Sequence, residues 1–145
     1  MLTKMHARMA ALTLAAAALT LAGAGAAQAA PAIPLTGGQE SPKPTAFGAH
    51  GSFSYDIDGT QFCYTLDVSG LSAPATAAHV HVGERNAPGP VVIPLTVPMA
   101  TDFDVSACTT ASADLLAAIE ADPSAYYVNV HNADNPGGEI RGQLK

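Results

Sequence analysis

The chain has 145 residues, of which 12 are Asp or Glu and 6 are Lys or Arg, for a formal net charge of −6 at pH 7. Residues 1–29 read as a removable leader that takes Lys4 and Arg8 with it, leaving Lys43, Arg85, Arg141 and Lys145 as the only cations and a net charge of −8. Four scattered cations cannot neutralise a run of phosphates or hold an anionic membrane surface, so both partner classes are excluded. The balance of 48% hydrophobic to 12% charged residues excludes disorder.

The leader is read from Lys4 and Arg8, the apolar stretch 9–22, and the small-x-small sequence Ala27-Gln28-Ala29. The apolar stretch is shorter than the roughly 20 residues of a membrane span. The expected cut falls between Ala29 and Ala30, and the product is expected to be secreted, extracellular or in the cell envelope. No later stretch is long or apolar enough to span a bilayer, and residues 30–145 fit a single domain.

Alternation with a period of two dominates that domain. Residues 30–46, rich in proline, are expected to form an extended arm entering a first edge strand. Phe53, Tyr55 and Ile57, then Phe62, Tyr64, Leu66 and Val68, alternate on either side of Asp58-Gly59, which predicts a β-hairpin with one apolar face. Residues 76–82 form a third predicted strand, ended by the turn-rich GERNAPGP. Val91, Ile93 and Leu95 make a short strand whose Pro94 favours an edge, and residues 102–109 supply another.

Ser112 is a plausible N-cap for a short helix with Leu115, Leu116 and Ile119 on one face, stopped by Pro123. Tyr126, Val128 and Val130 alternate through a further strand. The turn Asn135-Pro136-Gly137-Gly138 leads into a last strand over 139–144. The sum is an all-β fold: an antiparallel Greek-key or immunoglobulin-like sandwich, or a flattened barrel, of seven to eight short strands and one helix.

Cys63 and Cys108 are the only thiols, and export to an oxidising compartment favours a disulfide between them. Two unpaired buried thiols are the alternative. A pair of isolated cysteines without CxxC spacing makes a poor metal site.

The histidines carry the candidate chemistry. In AAHVHV the apolar face holds Ala78, Val80 and Val82, so His79 and His81 share the opposite face. In YYVNVH the core set is Tyr126, Val128 and Val130, which puts His131 beside Tyr127 and Asn129, away from the core. An i, i+2 pair lies roughly 6.5–7 Å apart on one side of a strand, close enough for both rings to reach one ion. A third ring from a neighbouring strand completes a set suited to copper or zinc. Ordinary hydrogen-bonding histidines are the competing reading. Glu84 and Asp134, each three residues beyond a candidate ligand, are candidates to orient a ring or donate an oxygen. Arg141 is expected either to pair with Glu139 or to guard an anion path. No nucleophile elbow, glycine-rich phosphate loop or carboxylate pair is seen.

The stretches LTGGQESP (35–42), FGAHGSFSYDIDGTQFCYTLDVSGL (47–71), TAAHVHVGERNAPGPVVIPL (76–95) and YYVNVHNADNPGGEIRGQL (126–144) together resemble a CHRD domain, the module repeated in chordin and found singly in exported bacterial proteins. The resemblance implies an immunoglobulin-like β-sandwich and carries no defined activity. It leaves a protein or cell-envelope partner unidentified. A shorter stretch is similar to the copper–zinc superoxide dismutases. There His79 and His81 match a copper-binding HVH pair, His131 matches a later copper ligand, and Arg141 lies near the place of an anion-attracting arginine. The histidine-rich zinc loop and the metal-bridging ligand have no counterpart here. The resulting expectation is a non-catalytic binding module with one copper or zinc ion on three histidines.

Overall fold

The computed structural model describes residues 31–145, so the expected leader lies outside the described residues. Eight strands form one antiparallel sheet: β1 (Ile33–Thr36), β2 (His50–Asp58), β3 (Gln61–Ser69), β4 (Ala75–Val82), β5 (Val91–Leu95), β6 (Phe103–Thr110), β7 (Tyr126–Asn132) and β8 (Ile140–Gln143). Their spatial order is β5-β4-β7-β8-β1-β2-β3-β6. The edge strands β5 and β6 approach each other, and Tyr64 of β3 brackets Thr96 just after β5. Its hydroxyl donates to the Thr96 carbonyl at 2.8 Å and accepts from the Thr96 N–H at 2.7 Å. The sheet is thus curled into a nearly closed, flattened barrel, as the strand count and alternation predict.

Each strand sends every second side chain inward. The β2–β3 hairpin runs in unbroken register from His50↔Ser69 to Asp58↔Gln61, turning at Gly59 with φ +60, a value glycine adopts without steric cost. Phe53, Phe62, Leu66, Val80, Ile93, Val128, Val130 and Ile140 meet in one buried core. The helix α1 (Ala113–Ala121) closes over it with Leu116 and Ile119, and its Ser112 cap accepts from the Leu115 N–H at 3.3 Å. Cys63 and Cys108 face each other across β3 and β6 and are joined by a disulfide, stapling edge strand β6 to its neighbour.

One expectation needs correction. Residues 30–46 do not lead into an edge strand, because β1 sits inside the sheet between β2 and β8. Ile33 and Leu35 are buried in the core, and that burial outweighs the presence of Pro34. Pro34 is tolerated because β1 meets β8 only at Thr36↔Arg141, so its missing N–H interrupts no ladder there. The strand that does occupy an edge and carries a proline is β5, as expected.

The face of β4, β7 and β8 that points away from the apolar core, where the histidines are expected, is itself largely covered. It is not a solvent face. Asn129 and Arg141 are each 1% exposed, and His81 and His131 are 7% and 9% exposed. The loop 83–90, the segment 37–44 and the turn 133–139 fold over this face, so the domain has a second interior, lined by polar groups.

Candidate metal centre

Strand register assembles the histidines. β4 pairs with β7 so that His79 lies opposite Asn129, His81 opposite Tyr127 and Ala77 opposite His131. His131 is therefore one diagonal step from His79, and the methyl group of Ala77 leaves its ring room. Ring centres are 4.8 Å apart for His79 and His131, 5.6 Å for His79 and His81, and 5.8 Å for His81 and His131. One nitrogen from each ring lies within 4.8 Å of the others.

Hydrogen bonds fix which nitrogen faces inward. The Nδ1 of His81 is 2.8 Å from the Gly89 carbonyl, and that of His131 is 3.0 Å from the Pro136 carbonyl. A carbonyl only accepts, so both Nδ1 atoms carry the proton and both Nε2 atoms keep a lone pair. The Nε2 of His131 is 3.0 Å from Nδ1 of His79, which donates to it. The Nε2 of His81 is buried and has no partner, an arrangement that leaves an acceptor desolvated without compensation. The donor set offered to an ion is thus Nδ1 of His79 with Nε2 of His81 and His131. Bonds of about 2.0 Å place neighbouring nitrogens some 3.3–3.5 Å apart, so closing on an ion requires shifts of about 1 Å.

The electrostatics suit ligation. Burial, helped by the two neighbouring histidines and opposed by the hydrogen bond to Pro136, brings His131 down to about 4. Burial also lowers His79 and His81. All three rings are neutral at pH 7, the form that binds metal.

Two loops hold the acceptor carbonyls in place. Gly89 donates its N–H to the Tyr127 hydroxyl at 3.1 Å, and the Tyr127 ring stacks on His81 with centres 4.7 Å apart and planes 7° from parallel. The Arg141 guanidinium lies 3.3 Å from the centre of the Tyr127 ring and donates to the carbonyls of Ala87 at 2.7 Å and Glu84 at 2.6 Å. On the other side, the buried Glu139 carboxylate accepts from the Ser72 N–H and hydroxyl, each at 3.0 Å, and from the Asn132 amide. Asn132 in turn accepts from the Asn135 N–H at 2.8 Å, and Asn135 accepts from the Thr45 N–H at 2.8 Å.

The remaining expected residues fall out as follows. The side chains of Glu84 and Asp134 are exposed, and Glu84 contributes its backbone carbonyl rather than its carboxylate. Arg141, expected as a partner of Glu139 or an anion contact, spends its guanidinium on two loop carbonyls and an aromatic face. Tyr127, Asn129, Glu139 and Glu40 join the surroundings of the site without a sequence motif that marks them. Glu40 is 2% exposed, and burial pushes its carboxyl up to about 7 against the opposing charge of Arg141. A signal for this group was present: Tyr127, Asn129 and His131 make an uncharged face on β7, unusual for a strand side in water.

Fold and cluster together define a small antiparallel β-barrel domain with a triad of histidines, two of them buried and His79 partly exposed. The family model of the CHRD domain matches residues 32–144, and the chain belongs to that family. Comparison with curated proteins and with solved structures gave no significant match. Among the described residues, no helix is long and apolar enough to cross a membrane.

Proposed function

We propose that this CHRD domain is an exported, non-catalytic binding module that holds one copper or zinc ion through His79, His81 and His131. The observation that carries the reading is the convergence of three neutral imidazoles with their donor nitrogens within 4.8 Å, one of them buried without a partner. An ion supplies that missing partner, and an all-nitrogen set with no thiolate suits copper(II) or zinc. The disulfide fits export to an oxidising compartment. Dismutase chemistry is disfavoured: the Arg141 guanidinium is sealed under the 83–90 loop and does not present a charge to an incoming anion.

Titration of purified, tag-free protein with copper or zinc tests the proposal. One equivalent should bind to the native chain, and His81→Ala and His131→Ala should abolish it. Weak uptake unchanged by these substitutions would instead make the domain a purely structural or protein-binding β-barrel.

A further inference from the structure

Each ligand ring that is pinned by a carbonyl depends on a loop, and each loop is clamped by one buried charged side chain. Glu139 immediately precedes β8 and Arg141 lies within it, both 1% exposed. Arg141 binds the carbonyls of Glu84 and Ala87 and covers the ring of Tyr127, whose hydroxyl holds Gly89. The Gly89 carbonyl receives the Nδ1–H of His81. Glu139 holds Asn132 and Ser72, and Asn132 holds Asn135, the residue before Pro136. The Pro136 carbonyl receives the Nδ1–H of His131.

Burying a charge costs several kcal/mol unless its hydrogen bonds are well made. Here both charges are directed at neutral loop groups: Arg141 at two carbonyls, Glu139 at an N–H, a hydroxyl and an amide. The two therefore act on different loops from neighbouring positions on one chain segment. We infer that Arg141 and Glu139 are positioning residues that separately fix the tautomer and orientation of His81 and His131. Their use to the protein rests on the metal-binding reading, since a fixed tautomer matters where a lone pair must point at an ion.

The test reads the metal-free protein first, by long-range ¹H–¹⁵N spectra of the imidazoles. Native protein should show His81 and His131 each as a single Nδ1–H tautomer. Arg141→Met should turn His81 into a tautomer mixture and leave His131 unchanged; Glu139→Gln should do the converse. Arg141→Lys and Glu139→Asp, which keep the charge, serve if the first pair does not fold, and should give smaller shifts with the same selectivity. Zinc affinity should then fall roughly 10–100-fold in each variant, the usual loss for an outer partner of a ligand. Spectra in which both rings respond to either substitution, or in which neither responds, overturn the positioning roles. Selective spectra without zinc binding by the native chain would leave those roles standing and sink the metal reading alone.

Discussion

His79 and His131 meet across β4 and β7 with Nδ1 of the first 3.0 Å from Nε2 of the second. Because His131 has its only proton on Nδ1, bound to Pro136, the shared hydrogen belongs to His79. The cluster without an ion is therefore partly self-capped. Binding an ion must move the His79 proton to its outer nitrogen, whereas His81 and His131 are already in the ligating form. Imidazole ¹⁵N shifts followed during zinc addition should show a tautomer change at His79 alone. Changes at all three rings would contradict the assignment.

Two buried groups give opposite pH dependence. The folded-state value of His131, about 4, lies below its ordinary 6.5, so the unfolded chain takes up a proton that the folded chain refuses. Stability from this source is lost as pH falls from 6.5 toward 4, by about 3 kcal/mol in full. Glu40 is raised from 4.5 to about 7, so the folded state keeps a proton that the unfolded chain releases. Its contribution is present below 4.5 and lost as pH rises through 7. Between 4.5 and 6.5 the two slopes oppose each other. Urea unfolding of Glu40→Gln should therefore show a steeper acid loss than the native protein, about 2–3 kcal/mol between pH 6.5 and 4.5. An equal or shallower loss in the variant would contradict the assignment.

The Cys63–Cys108 bridge closes a loop with a sequence separation of 45 and fastens an edge strand. On the chain-entropy model its removal costs about 4 kcal/mol. The double variant Cys63→Ser, Cys108→Ser should lose stability on that scale in chemical denaturation, with β6 the first strand to exchange its amide hydrogens. Equal stability with and without reductant would show that the bridge constrains nothing.

Gly89 packs so closely on Val82 that a Cβ would overlap the Val82 carbonyl. Gly89→Ala should destabilise the domain by about 1–3 kcal/mol, as overpacking does. It should also displace the acceptor of His81, so zinc affinity should fall with it. A variant with native melting temperature and native affinity would show that the 83–90 loop adjusts freely.

Much of this molecule can be read from its residues because strands advertise themselves by alternation. The β2–β3 hairpin, the capped helix and the same-face placement of His79, His81 and His131 follow from spacing alone. The position of β1 does not. Four residues with a proline carry little local signal, and Ile33 and Leu35 find their place only through β2 and β8. The burial of the histidine face was hidden for a related reason. It is produced by loops without periodicity, and the groups that secure them are backbone carbonyls such as those of Glu84, Ala87, Gly89 and Pro136, present at every position in any sequence. Arg141 illustrates the consequence: its charge is visible in the sequence, but its partners are not.

X-ray absorption at the zinc edge of the loaded protein tests the central claim most directly. Three imidazole nitrogens at about 2.0 Å are expected, and His131→Ala should retain no stoichiometric zinc. A first shell of oxygen alone, or one that His131→Ala leaves unchanged, would contradict it.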